Sequence, residues 1–476
     1  MKALETVLLT LALLVLAVVG SPAPSKLSSK IGPNLSRALS DNPETSQNIF
    51  IEFSGIQKVL AAVRLTTANI ANRGVRNTML FNALTAHAHE SQVEARALLE
   101  SFGISQGKIK SFWINNHIFI KGADKAIIEA LALLPSVTSI EQEIVTYLQR
   151  PIIESAASPR EPGILAEWNI EKMRSNLVWD APWGNNGTGV VVGFIDTGVR
   201  GTHEAIRDQY MNDGRAWRDP YNQYSVPTDI YNHGTHTVGS VVGKFGIGSA
   251  PEAKWIACKG YQDNGGAELS AFTECGQFMV CPTDSSGQNP DCTKTPHVTS
   301  NSWGVWPGTT YFEDILDVWR SSGIISVFSN GNEGPTPCGD MLAPADSAKT
   351  MGVGATGRND ELASFSSRGP SRYGVLKPDI SAPGMSIRSC DCNGDSLYSV
   401  FSGTSMSCPN SAGVIALMVG KDRAITYDRV KSLLESTATT SVVTNGETCG
   451  NIPDNQFPNN HVGHGRIDAY AAVEAI

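Results

Sequence analysis

The chain has 476 residues, enough for two or three domains and at least one large core. Its composition, 41% hydrophobic and 17% charged, is that of a globular protein. A formal net charge of -9 argues against nucleic acid or an anionic membrane as the main partner.

The first twenty residues read as a secretory signal. Met1-Lys2 supplies a positive start, Val7 to Val19 is an apolar run broken only by Thr10, and small residues follow from Gly20 to Ala23. The run is too short to span a bilayer comfortably. Residues 21 to 47, rich in Ser, Pro and Asn, read as a linker. Asn48 to Phe53 predicts a strand, and Ala, Leu and Glu spacing predicts a helix over roughly 78 to 102. Phe112 to Ile114 and His117 to Ile120 read as a hairpin. A helix from Ala123 to Leu134 and a strand from Val137 to Glu141 complete a small α+β unit, residues 48 to 148. Residues 149 to 165, with prolines among small and charged residues, read as a linker prone to proteolysis.

From residue 166 to 476 the pattern changes to buried strands alternating with helices. The strands are Val190 to Asp196, Lys254 to Lys259, His297 to Asn301, Ile324 to Ser329 and Thr350 to Val353. The helices include Ala267 to Val280, Tyr311 to Ser321 and Ser405 to Val419. The alternation predicts an α/β fold, a doubly wound parallel sheet covered on both faces, with function at the carboxyl ends of its strands.

Secretion permits disulfides. There are nine cysteines, an odd number, so at least one is free or bridges to another chain. Cys408, in the apolar helix after Ser405, is the candidate for the free thiol. Cys281 and Cys292 bracket a polar loop that a bridge would tie off. The cysteines near 258 to 292 and 390 to 392 suggest stabilisation by bridges.

Three segments carry chemistry. Asp196 ends a strand before Thr197-Gly198. His233 opens a helix in Asn232-His233-Gly234-Thr235-His236. Ser405 lies in Gly403-Thr404-Ser405-Met406, where an irregular segment turns into a helix. A serine hydroxyl needs a base near neutral pH, and a histidine supplies it. The histidine needs a carboxylate on its other ring nitrogen. The order Asp, His, Ser differs from that of α/β-hydrolases and of chymotrypsin-type proteases.

With these motifs in this order, the chain resembles the subtilisin-like serine proteases, the subtilases, over about residues 165 to 476. Ala250 to Ile256, Asn301 to Gly304, Lys377 to Gly384 and Gly463 to Ala469 resemble the bacillopeptidase F branch of that family. The resemblance implies that Asp196 orients His233, that His233 is general base and acid, and that Ser405 is the nucleophile. It makes His236 structural. It gives Asn332 and the Ser405 backbone N–H as oxyanion donors. Extended peptides would pair with Asn264, Gly265 and Gly266 on one side and with Ser302, Trp303 and Gly304 on the other. Glu333 at the pocket rim would favour basic residues, or else sit as a solvated turn carboxylate. Residues 48 to 148 resemble an inhibitory propeptide, with a maturation cut between Leu148 and Glu167.

Between His236 and Pro251 no acidic insertion supplies the strong calcium loop of some relatives, so no metal site is expected there and other calcium sites stay open. No cofactor is expected to be required. Asn410 stands where the family usually has histidine. The expected partners are polypeptide substrates and the chain's own propeptide, with no nucleic acid and no membrane, for a monomeric, secreted, extracellular protein. The alternatives are a processing protease for basic sites, for which Glu333 is the only visible acid, and an inactive binding protein of the same fold.

Overall fold

In the computed structural model, residues 29–159, 165–335 and 338–476 are described. The expected signal segment, residues 1 to 20, lies outside them. The chain divides into two units, one of Met1–Ile56 with Leu84–Glu143, the other of Gln57–Ala83 with Ile144–Ile476.

The first unit begins with α1 (Pro33–Asp41), inside a stretch whose composition reads as linker; Pro33 opens it, where its missing N–H costs nothing. Strand β1 (Gln47–Phe53) follows. Helices α2 (Ile56–Thr67) and α3 (Arg73–Ser91) come next, and their residues up to Ala83 belong to the other unit. The helix expected over 78 to 102 is interrupted at Gln92, after which α4 spans Val93–Ser101. Strands β2 (Ile109–Phe112) and β3 (His117–Ala123), helix α5 (Lys125–Ala132) and strand β4 (Val137–Gln142) complete the unit. The antiparallel sheet runs β2-β3-β1-β4. Alternation along β1 puts Ile49, Ile51 and Phe53 in one buried cluster with Leu35, Leu99 and Leu131, and Phe50 on the other face against Phe119.

After Gln57–Ala83, the second unit resumes with β5 (Val145–Tyr147) and β6 (Ile152–Pro159). The segment read as a linker from its prolines is therefore largely a strand. Its partner lies some 240 residues on, and local composition carries no trace of it. Helices α6 (Trp168–Lys172) and α7 (Ser175–Asp180) lead into the parallel sheet. Its strands and the first helices are β7 (Val191–Asp196), β8 (Trp217–Arg218), α8 (His233–Val242) and β9 (Lys254–Lys259). Then come β10 (Gly266–Glu268), α9 (Leu269–Val280), β11 (Val298–Asn301), α10 (Glu313–Ser321), β12 (Ile325–Ser329) and β13 (Met351–Thr356). The last elements are β14 (Ile380–Pro383), β15 (Ile387–Cys390), β16 (Leu397–Ser402), α11 (Thr404–Lys421), α12 (Tyr427–Thr437) and α13 (Ala469–Glu474).

The seven-stranded order is β14-β13-β12-β11-β7-β9-β8, with every pair parallel. The doubly wound α/β sheet expected from the alternating pattern is present. From β7 the chain goes to β9 on one side and returns to β11 on the other. The crevice at the carboxyl end of β7 is thus a topological switch point. Helix α11 is buried from Thr404 to Val419, which explains its unbroken small and apolar sequence. The helix expected from Ala267 starts at Leu269, because Gly266–Glu268 pair as a strand with β5.

Disulfides join Cys258 to Cys275, Cys281 to Cys292 and Cys338 to Cys449. Cys408 is free and buried, as expected. Cys390 and Cys392 are free and buried as well, so the bridging expected of them is corrected. Among the described residues no helix is long and apolar enough to cross a membrane.

The Cys338–Cys449 bridge spans a sequence separation of 111. Replacing both by Ser in the full chain should cost about 4 kcal/mol of unfolding free energy, read from urea midpoints, because so long a loop is freed in the unfolded state.

Candidate active site

Asp196 ends β7, and its carboxylate is tied at both oxygens. Oδ1 accepts from the Thr197 N–H at 2.7 Å and lies 2.7 Å from His233 Nδ1; Oδ2 accepts from the Thr237 hydroxyl at 3.1 Å. A buried carboxylate needs such donors to offset lost hydration. Two glycines allow the close approach. A Cβ on Gly234 would lie 2.0 Å from Gly198 O, and Gly198 itself has φ +121.

His233 opens α8 and is buried. The turn before it is held by Asp229, which the sequence reading missed. Its Oδ1 accepts from the N–H groups of Tyr231 and Asn232 and from the Thr197 hydroxyl. Its Oδ2 accepts from the Thr235 N–H at 2.9 Å and the Thr235 hydroxyl at 2.6 Å. An acid shortly before a helix start is the signal that would have found it. Asn232 takes the left-handed conformation, φ 75, which asparagine tolerates. Its side chain donates to Asp391 and accepts from the Cys392 N–H, each at 2.6 Å. His233 is thus fixed on its Nδ1 side. Its Nε2 is buried without a hydrogen-bond partner, facing a cavity of about 510 Å³ whose lining includes Tyr231, Asn264 and Cys392.

Ser405 sits in the first turn of α11. Its Oγ donates to Ser302 O at 3.4 Å, and no hydrogen bond joins it to His233. The Ser302 hydroxyl donates back to Ser405 O at 2.8 Å. This carbonyl is available because Pro409, four residues on, has no N–H to offer it. Asn332 packs across the same helix start. Its Oδ1 accepts from the Thr404 N–H at 2.8 Å and the Thr404 hydroxyl at 2.9 Å, which fixes the amide plane and leaves Nδ2 as a donor.

His236 is a packing residue. Its ring stacks on Phe401 at 4.4 Å and its Nε2 lies 3.1 Å from Ile387 O. Burial, with the nearby His233, pushes its pKa down to about 3. Asn410 bridges Asn169 and Pro383 O, each at 2.9 Å, with no part in the cleft. The Cys408 thiol is pushed up to about 12 by burial and is inert.

Residues expected to pair with peptides contact the chain's own segment instead. Strand β5 pairs antiparallel with β10, matching Tyr147 to Gly266, and the Leu148 N–H donates to Gly265 O at 2.9 Å. This pairing runs from Gly265 to Glu268 and takes in Gly265 and Gly266 of the residues expected to pair with peptides. Asn264 instead shapes the turn by accepting from the Gly266 N–H at 2.8 Å. Leu148 and Gln149 line a small pocket together with Ser302, Trp303, Gly304, Asn332 and Ser405. The Trp303 ring stacks on Phe272 at 4.3 Å in the aromatic core, leaving its backbone for the pocket. The Gln149 side chain donates to Glu333 and accepts from the Asn332 N–H at 3.2 Å. Arg150 donates to the Tyr231 hydroxyl at 2.7 Å.

A family model described as the subtilase family matches residues 187–465. Bacillopeptidase F of Bacillus subtilis is 31% identical over 430 residues, covering 84% of this chain and 29% of its own length. Serine protease AprX of the same organism is 32% identical, covering 52% of this chain and 61% of its own. Subtilisin E, also from that organism, is 31% identical, covering 54% and 62%. The chain thus spans less than two thirds of each of these relatives.

The unfolded chain protonates His236 near pH 6.5, the folded one only near pH 3. Stability from this residue is therefore full above pH 6.5 and lost as pH falls toward 3, at roughly 1.4 kcal/mol per pH unit. Urea midpoints of the Ser405→Ala chain at pH 7 and pH 4.5 should show this loss, and His236→Asn should flatten it by about one proton.

Proposed function

Because the chain belongs to the subtilase family, we propose that it is a secreted serine endopeptidase of broad specificity, made as a zymogen that cuts itself. One observation carries the reading. Residues 145 to 149 lie where a peptide substrate would lie, Val145 to Tyr147 by strand pairing and Leu148 and Gln149 beside Ser405 in the wall of one pocket.

The Ser405 hydroxyl turns from Ser302 O to His233 Nε2, which takes its proton as Oγ attacks the scissile carbonyl carbon. Asp196 holds the imidazolium that forms. Asn332 Nδ2 and the Ser405 N–H, at the positive end of α11, bind the oxyanion. His233 then gives its proton to the departing amine, the C–N bond breaks, and an acyl-enzyme remains. Water attacks the ester, its proton passing through His233 back to Ser405. No cofactor is needed for these steps.

The residue that lines the pocket beside the nucleophile and whose side chain reaches Glu333 and the Asn332 N–H is placed on the acyl side of the cut bond. That residue is Gln149, so maturation falls between Gln149 and Arg150. Glu333 reads this side chain by accepting from its amide. The rest of the recognition is backbone pairing, which favours breadth over a strict basic-site preference. The three disulfides agree with an oxidising, extracellular setting.

Purified full-length protein should yield a fragment whose amino terminus is Arg150 and should then digest denatured casein. Ser405→Ala should do neither, with a loss of about a millionfold, a figure known from a subtilisin itself. A Ser405→Ala chain that still cleaves casein overturns the assignment. Asn332→Ala should lower turnover by about 100- to 1,000-fold, again by the subtilisin precedent, and should also lower the unfolding midpoint, because the Thr404 N–H and hydroxyl lose their acceptor.

A further inference from the structure

Residues 57–83 precede the self-cleavage point by more than 60 positions, yet they belong to the compact unit that carries Ser405. Their central contact is Arg73, the first residue of α3. Its half-buried guanidinium sits in a ring of four backbone carbonyls: Nη1 donates to Thr295 O at 2.8 Å, Nη2 to Pro296 O at 2.6 Å and to Gly323 O at 3.2 Å, and Nε to Ser322 O at 3.2 Å. This uses nearly the full donor fork of an arginine, and among the described residues no carboxylate forms an ion pair with it. Burial lowers its pKa to about 10, so it stays charged at neutral pH.

The receiving surface is built for it. Gly323 has φ +74, and a Cβ there would stand 3.3 Å from Arg73 Nε. Asn77, one turn on, donates to the Thr295 hydroxyl at 3.0 Å. Gly74 lies against Thr293, where a Cβ would come within 3.0 Å. The Cys281–Cys292 bridge ends just before Thr293, and the Thr295 hydroxyl donates back to Val280 O and Cys292 O, so the bridged loop shapes the socket. Further along α10, Asp314 and Asp317 accept from Gln57 at 2.9 and 2.8 Å.

The socket stands at the amino ends of β11 and β12, whereas Asp196 and Ser405 stand at the carboxyl end of the sheet. We propose that Arg73 and its carbonyl socket form a second anchor, separate from the cleft, which keeps the cut leader bound to the peptidase and so delays activity. This rests on the self-cleaving zymogen reading. The carbonyls are fixed by the fold, so the socket recognises one guanidinium and not a sequence. Cutting after Gln149 frees the segment in the cleft and leaves this contact intact.

Two arms test it. In the full-length Ser405→Ala background, hydrogen exchange needs no cleavage. Arg73→Ala should speed amide exchange of residues 57–83 at least about tenfold, and Arg73→Lys, which lacks the fork, should fall between. Asn77→Ala should act in the same direction. Unchanged exchange over 57–83 in Arg73→Ala overturns the anchor. In the active chain, the wild-type leader should co-elute with the mature fragment after the cut. Arg73→Ala should cut at the same rate but release casein activity about tenfold sooner. Equal release times also overturn the anchor. A wild-type chain that never cuts after Gln149 instead overturns the zymogen reading, and the exchange arm still decides the anchor.

Discussion

The Asp196 carboxylate is the point on which the site depends. It is buried at the end of β7 and satisfied by three donors from separate pieces of chain: its own strand end, the first residue of α8, and the second turn of that helix. A buried carboxylate left short of donors is costly, so these bonds lock the helix against the strand end as well as orienting the imidazole. The spacing of this junction is set by side chains that are absent, at Gly198 and Gly234. Around it Asp229 fixes the preceding turn, and the Lys259 ammonium donates to Thr197 O at 2.6 Å beneath it.

Backbone recognition recurs at several places where the amino-terminal part of the chain meets the peptidase fold within the second unit. Strand β5 adds to β10, and β6 adds antiparallel to β16, the strand that leads into Ser405. Sheet edges offer unpaired N–H and C=O groups to any extended chain. Selectivity then falls to a few side chains, Gln149 at Glu333 and Arg73 in its carbonyl ring. In both cases a fixed main chain supplies the geometry and one long polar side chain supplies the identity. Such an arrangement is compatible with a peptidase of broad appetite that still recognises its own leader.

The histidines and thiols that take no part in the proposed chemistry stabilise the same region. His236 lies three residues after His233 on α8, but its ring is stacked and dehydrated and stays neutral in the folded state. Cys408 is one turn after Ser405 and touches Ser300 and Val327 O at 3.8 and 3.6 Å, under the helix rather than in the cleft. His233 and His236, three residues apart, and likewise Ser405 and Cys408, are thus separated in role by which face of the helix they occupy.

The sequence by itself determined the alternation of buried strands and helices, the place of Asp196 at a strand end, and of His233 and Ser405 at helix starts. These are local signals: apolar runs, glycines beside a polar residue, and the onset of helical spacing. It also marked the free Cys408 and the Cys281–Cys292 loop. Tertiary structure alone decided that Pro-bearing residues 152–159 form a strand, since their partner is β16. It decided that Cys390 and Cys392 stay reduced, and that Asp229 and Gln149 belong to the site. It also assigned Arg73 to the peptidase unit, through carbonyls more than 220 positions away. Contacts of this kind depend on where the backbone of a distant segment comes to rest, and backbone carbonyls are the same in every residue. No residue pattern can announce them before the chain has folded.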